Sequence, residues 1–383
     1  MKQNAKPKIL SFTHYGTLYG ANRSLLTLLI SLKGKVNWFV ICREEGDFTR
    51  ELAQNNIEFK VIPFTLDVHQ ISKRFQFFDN FLRFCFNVVI ACYLAPIVYL
   101  HKVSLIHTNS SVIFLGSLVS LLTGRKHIWH IREFVFEDYG LKYNFGKSSF
   151  KFLAERAATM VCISKSIHKK RIIDTGISTH SPVIYNGLVE HQKNRYSRNG
   201  IRKVPVIGIV GIIDPAKDQF TAIKAVNILI KKNKNVILQI VGNVGSNEYF
   251  EVLKKYIKDE GIDEQIKFVG FSKDIDTIFK NLDVSLMCSH HEALGRVTIE
   301  SMMNGVPVVA YGAEGTNEII EGEKTGLIYY GDESSLAVQL DRILLDEDLY
   351  RQISKQALEH VVNNFTIEKY AQNFLKEVNQ CLS

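Results

Sequence analysis

Disulfide and metal patterns are the first things missing from this sequence. Its six cysteines, Cys42, Cys85, Cys92, Cys162, Cys288 and Cys381, are scattered over 383 residues and form no Cys-x-x-Cys pair. That spacing excludes a disulfide framework or a thiolate zinc site and reads as reduced, buried thiols. No helix-turn-helix, zinc-finger or RNA-binding signature is present, which leaves nucleic acid the weakest of the possible partners. A Gly-x-Gly-x-x-Gly loop is missing too. Cys42 and Arg43 stand where a dinucleotide fold places its ribose-binding acid, which argues against an oxidoreductase. There is no internal repeat and no low-complexity tract. The apolar run that includes Ile9, Leu10 and Phe12 is too short for the core of a signal peptide, so the expected location is cytoplasmic.

What is present is ordinary for a globular chain: 46% hydrophobic and 22% charged residues. The length points to two domains. The net charge of +8 hides an asymmetry. Residues 1–200 carry 27 Lys and Arg against 13 Asp and Glu, a balance of +14, and residues 201–383 carry 20 against 26, a balance of −6. A basic half suits an anionic membrane surface or a phosphorylated acceptor.

Both halves alternate apolar strands with helical patterns, which predicts an α/β fold of two parallel, helix-covered sheets. Strands are expected at Ile9–Phe12, Trp38–Cys42, Phe59–Ile62, Leu105–Thr108, His127–His130 and Thr159–Ile163. In the second half they are expected at Val206–Val210, Val236–Val241, Ile266–Phe268, Val284–Met287, Val308–Ala310 and Gly326–Ile328. The expected division is an acceptor-binding domain over 1–190, a linker over 191–203, a donor-binding domain over 204–364 and a C-terminal helix over 365–383 that packs back on the first domain. The linker expectation rests on the Asn186-Gly187 turn and the polar, basic His191–Lys203 stretch.

Phe77–Leu100 is strongly apolar, and Phe84–Leu100 has no charge. Asn87 and Pro96 interrupt it and Arg83 closes its start, so the reading is a helix buried or resting on a membrane, not a span. Lys142, Lys147, Lys151 and Arg156 add positive charge in the same half, as a peripheral membrane protein or an ordinary solvated face would.

Two segments carry chemistry. In the first, strand Val206–Val210 ends at Gly211, and a short loop presents Lys217 ahead of a helix beginning near Asp218. Glycine permits close backbone approach and lysine acts as a point charge on phosphate. The second and stronger segment is Ser289–Glu300. Glu292 lies in the loop after strand Val284–Met287, and Glu300 lies little more than a turn inside a helix that starts near Arg296 and stops by Gly305. The N–H groups of Gly295, Arg296 and Val297 lie between them at the positive helix end, where a diphosphate belongs. Two acids beside a phosphate would repel it unless each faced a hydroxyl, which favours a nucleotide sugar over a bare nucleotide. Adjacent His290 and His291 point apart and lack a third ligand, so no metal is expected. Gly315-Thr316-Asn317 add amides to the same cradle. His130 and His107, taken alone, read as core histidines.

The pattern Glu292-x7-Glu300, followed by Gly305-Val306-Pro307-Val308-Val309 and Gly315…Glu318, resembles retaining glycosyltransferases of family four, which have the two-Rossmann GT-B fold. Gly211…Lys217, Gln239–Asn243, Phe268-Val269-Gly270-Phe271 and Val183–Gly187 extend the resemblance. Looser matches in the first half are Tyr15-Gly16…Gly20-Ala21, Ile106–Ser111 and His130-Ile131-Arg132-Glu133, the last two similar to segments of polysaccharide-building members.

The resemblance implies that Lys217 binds the donor diphosphate, Glu292 the sugar hydroxyls and Glu300 the ribose. Gly270 and Phe271 would border the base, Gly16 and Gly20 would let a loop close over the phosphates, and His130 would sit near the reacting sugar. It further implies a metal-independent transferase with no cofactor beyond the nucleoside diphosphate sugar. A glycan or lipid-linked acceptor at the inner face of the cell membrane is expected, in capsule, exopolysaccharide or lipopolysaccharide synthesis. One position departs from the pattern: Ile212 stands where the family commonly has an arginine, with Arg296 as a candidate replacement. That departure keeps a non-catalytic sugar-nucleotide-binding or assembly protein open as an alternative, alongside a GT-B sugar-nucleotide epimerase.

Overall fold

The computed structural model describes residues 6–70, 76–190, 200–272 and 274–383. The chain divides into two compact units, residues 1–187 with 367–383, and residues 188–366. Most of the stretch expected to be a linker, 191–199, lies outside the described residues. Its far end belongs to the second unit. There Arg202 donates to the carbonyls of Lys280 and Asn281 and to Asp283 Oδ2 at 2.8–3.1 Å.

The first unit is built on a six-stranded parallel sheet: β1 Lys8–Thr13, β2 Asn37–Cys42, β3 Glu58–Val61, β4 Leu105–Thr108, β5 His127–Ile131 and β6 Thr159–Cys162, in the order β3-β2-β1-β4-β5-β6. The second unit repeats that order with β7 Val206–Val210, β8 Ile237–Val241, β9 Ile266–Gly270, β10 Val284–Met287, β11 Val308–Tyr311 and β12 Leu327–Tyr329, arranged β9-β8-β7-β10-β11-β12. These are the twelve strands expected from the sequence, with ends moved by one or two residues. Every residue of β4, β6 and β10 is buried. Strands covered on both faces read as largely apolar runs, which is why they were visible. In each sheet the strand order reverses once, between β1 and β4 and between β7 and β10. Ligands of open parallel sheets bind outside the carboxyl ends of the strands at such a reversal. A two-stranded antiparallel pair, Val68–Gln70 with Leu141–Tyr143, was not expected. Three residues per strand are too few to show an alternation.

The last helix, Ile367–Leu382, closes the core of the first unit. Its Tyr370, Phe374, Val378 and Cys381 pack in one cluster with Ile9, Trp38 and Leu105. Their spacing of four, four and three residues is one helical face, and a buried Phe374 alone stabilises by about 1.5–3 kcal/mol. Polar ties fix the register: Tyr370 OH accepts from Arg132 at 3.0 Å, and Glu377 lies 2.9 Å from His180 Nε2.

Burial in this unit also sets a pH dependence. It lowers the pKa of His14 and of His127 to about 3, and it holds those of His107 and His130 well below the usual value. A histidine kept neutral by the fold contributes stability above its unfolded pKa and loses it as pH falls. Between pH 6.5 and pH 5 His14 and His127 should each cost about 2 kcal/mol. Burial raises Asp67 to about 7, and this works in the opposite sense, its contribution being lost as pH rises through that value. Four histidines outweigh one aspartate. The melting temperature is expected to fall steadily from pH 7 to pH 5 in scanning calorimetry, and a flat or rising profile would contradict this.

Candidate functional site

At the carboxyl edge of the second sheet three neighbouring strands, β7, β8 and β9, run into Gly211, Gly242 and Gly270. The Gly211 N–H donates to Val241 O and the Gly242 N–H to Gly270 O, both at 2.9 Å. A Cβ on Gly242 would fall inside the van der Waals shell of Gly211 O. The loops are therefore stacked backbone to backbone, and only glycine fits the middle one. Sequence reasoning picked out Gly211 and Gly270 as site residues and missed Gly242. Its strand-end position in Val241-Gly242-Asn243 was the available signal.

The loop after β7 is held rigid by its own side chains. Asp214 accepts from the Ala216 N–H at 3.0 Å, and Gln219 donates to Ile212 O at 2.9 Å. Asp218 caps the helix Gln219–Lys231 by accepting from the Thr221 N–H at 3.2 Å. Lys217 follows from this frame, and its Nζ lies 2.7 Å from Glu292 Oε2. The structure thus brings together two candidates 75 residues apart in sequence.

Glu292 is itself clamped. The Gly315 N–H donates to Glu292 O at 3.0 Å, Glu314 Oε2 accepts from the Glu292 N–H at 3.3 Å, and His291 lies 3.2 Å from Glu314 Oε1. His290 turns the other way, 3.5 Å from Asp218 Oδ2. Among the described residues no group of three His, Cys, Asp or Glu side chains is placed to hold a metal ion.

Gly295 has φ 84° and occupies the N-cap of the helix Arg296–Met303 without a side chain to close it. The left-handed backbone needs glycine there, and the missing side-chain cap leaves the Val297 N–H for another acceptor. In this segment and the loop that follows β11, Ser289 Oγ, Thr298 Oγ1 and Thr316 Oγ1 are buried with no partner among the described residues. Buried hydroxyls in folded proteins are nearly always bonded. Three such hydroxyls, with that of Thr298 in the first turn of the uncapped helix, offer donors suited to phosphate or sugar oxygens. Of the three, Thr316 was named from sequence only for its amide, and the hydroxyls of Ser289 and Thr298 were not candidates; Thr298 and Thr316, each in the first turn after a glycine, were the signals to read. Glu300 is buried on the same helix, with Oε1 2.9 Å from Arg296 Nε. The cation suggested as a stand-in at position 212 is therefore paired with Glu300. Ile212 is 45% exposed, and its side chain lies against Gly245. Phe271, which follows Gly270, is 61% exposed.

The remaining candidates lie in the first unit. Gly16 packs on the Glu45-Gly46 backbone, and its N–H donates to Glu44 Oε1 at 3.1 Å. Gly20 is the first residue of the helix Gly20–Ser31, with nothing within 4 Å of where a Cβ would stand. His130 is fully buried, with its ring stacked on Phe374 and its Nδ1 3.4 Å from Arg132 Nη2. Arg132 in turn donates to Asn109 and Asn186 at 2.6 and 2.8 Å.

The family model for glycosyl transferases group 1 matches residues 192–360. This stretch is a glycosyltransferase group 1 domain. It contains the loops from Gly211 to Glu318 described above. The lipopolysaccharide core biosynthesis glycosyltransferase LpsE of Rhizobium meliloti is 29% identical over 45% of this chain and 49% of its own length. The capsular polysaccharide biosynthesis glycosyltransferase CapM of Staphylococcus aureus is 23% identical over 69% of this chain and 74% of its own. The chain spans about half the length of several curated relatives it matches, 42% to 51% for three of them. The crystal structure of Anabaena Alr3699/HepE in complex with UDP and glucose superposes with a TM-score of 0.80 at 22% identity, covering 97% of this chain and 99% of that one. The group 1 domain and the unit before it together have the GT-B fold.

Proposed function

We propose that this protein transfers a sugar from a nucleoside diphosphate donor to a hydroxyl of a glycan or lipid-linked acceptor, with retention at the anomeric carbon, in cell-surface polysaccharide synthesis. The observation that carries this reading is the Lys217–Glu292 pair set beside an uncapped helix end with unpartnered hydroxyls. The match to the group 1 model and the likeness to a structure holding UDP and glucose support it.

In this reading the diphosphate sits at the helix end, against the Gly295, Arg296 and Val297 amides, and Lys217 turns from Glu292 to the phosphates. Glu292, released, accepts from the sugar hydroxyls, and Glu300 accepts from the ribose. Gly270 and Phe271 border the base, Gly211 gives the phosphates close approach, and Gly16 and Gly20 serve the loop of the first unit. The bond from the anomeric carbon to the phosphate oxygen breaks while one to the acceptor oxygen forms on the same face. The acceptor proton leaves with the diphosphate, whose developing charge is met by fixed positive groups, so neither a metal nor a further cofactor is required. His130, sealed in the core of the first unit, acts through Arg132 as a positioning residue. The proposed location is cytoplasmic, at the inner face of the cell membrane.

Glu300→Gln is expected to raise the donor KM by roughly ten- to a hundredfold, the worth of one hydrogen bond to a charged group, with a smaller change in kcat. Steady-state kinetics with a nucleotide sugar chosen by thermal-shift screening would show this, and an unchanged KM would remove Glu300 from the site. A second reading rests on Ile212, where the expected cation is absent. Tight donor binding without transfer across a broad acceptor panel would favour a non-catalytic sugar-nucleotide-binding protein.

A further inference from the structure

The helix Gln76–Leu100 has the composition of a membrane segment, but it is held to the first unit along one stripe. Its most apolar window has mean hydropathy 2.0 and is only 22% buried. The buried residues are Asn80, Asn87, Ala91, Leu94 and Val98, whose spacing of seven, four, three and four marks a single helical face. The two amides that interrupt the apolar run are its anchors. Asn87 Oδ1 accepts from the Thr65 N–H and its Nδ2 donates to Thr65 O, both at 2.9 Å, while Asn80 donates to Asn144 O at 3.1 Å.

Among the described residues the opposite face is largely uncovered, with Phe77 edge-on to Phe145 at its start. Phe77, Phe78, Phe81, Leu82, Val89 and Leu100 are 47–79% exposed. The helix Leu115–Thr123 packs alongside and extends the surface with Leu121 and Leu122, each 50% exposed. Soluble monomers rarely leave such a contiguous apolar face open.

Charge at the rim selects the occupant. Lys60 Nζ lies 3.0 Å from Tyr93 OH, and Arg125 sits over the Tyr99 ring at 5.5 Å. Arg83 lies on the helix, and exposed Lys102 and Lys126 follow the two helices. The one acid of the helix Gln76–Leu100, Asp79, is taken up by Arg83 at 3.1 Å. Aromatic and aliphatic side chains ringed by cations match the interface of an anionic bilayer, with the rings at headgroup depth and the cations among phosphates.

We infer that this face lies in the surface of an anionic phospholipid membrane, with the anchoring stripe keeping the helix on the protein and out of a span. Vesicle binding tests this independently of any transfer activity. The full chain is sedimented with vesicles of phosphatidylcholine alone or mixed with phosphatidylglycerol. The protein is expected to sediment with the anionic vesicles, less as salt rises. The triple variant F78S/F81S/L82S, which changes only exposed side chains, should bind roughly tenfold more weakly or worse with an unchanged melting temperature. Lys60→Glu with Arg125→Glu should erase the preference for anionic lipid. Failure of the natural chain to bind anionic vesicles at low salt would overturn the inference. So would equal binding by the triple variant, or a stable dimer in light scattering that the triple variant dissolves, since that would give the face to a second copy.

Discussion

Lys217→Ala should lower kcat/KM for the donor by about a hundred- to a thousandfold, the scale on which one fixed group facing a developing negative charge contributes. Two consequences add in the same direction. On the proposed reading the departing diphosphate loses the cation that Lys217 supplies, in a site where Ile212 supplies none. Glu292, which Lys217 holds at 2.7 Å, is left as an uncompensated carboxylate beside the phosphates and repels them. The loss should therefore fall on donor affinity as well as on turnover, and Glu292→Gln in the Lys217→Ala background should recover part of the affinity. Initial-rate kinetics at varied donor concentration separate the two parameters. Full turnover by Lys217→Ala would sink the site assignment.

Gly242→Ala should be the most damaging single methyl group in the second unit. The added Cβ has to share space with Gly211 O, a backbone atom in the next loop that cannot rotate away. Relief requires the β7 and β8 loops to separate, at a cost of about 3 kcal/mol, which corresponds to a fall of roughly 5–10 °C in melting temperature for a domain of this size. The Gly211 N–H bond to Val241 O would stretch with it, shifting the loop that carries Lys217. Donor binding should be lost in the fraction that remains folded. Thermal unfolding together with a donor-binding titration would check both; a melting temperature within a degree or two of the natural protein and intact binding would show that the loops yield easily.

The strands were legible because parallel strands covered on both faces are mostly apolar: Leu105–Thr108, Thr159–Cys162 and Val284–Met287 have no exposed residue, and their polar members, His107, Thr108, Thr159 and Ser285, are buried with the rest. The Ser289–Glu300 segment was legible for a local reason as well: a glycine at a helix start and two acids eight residues apart are written in consecutive sequence. The Lys217–Glu292 pair is a tertiary contact across two loops, and no local pattern encodes it. Asn80 and Asn87 were harder still. In sequence Asn87 interrupts an apolar helix, whereas in the fold both are the polar anchors of that helix, satisfied by backbone groups at Thr65 and Asn144. Thr298 and Thr316 look like ordinary first-turn threonines until their hydroxyls are found buried with no partner among the described residues.

The central claim is that the second unit holds a nucleoside diphosphate sugar between Lys217 and the helix end at Gly295. Calorimetric titration of the full chain with a panel of nucleoside diphosphate sugars tests it without any knowledge of the acceptor. At least one donor should bind, with Lys217→Ala weakening that donor by roughly tenfold or more. Absence of binding by every donor in the panel, or equal affinity for the natural chain and Lys217→Ala, would contradict it.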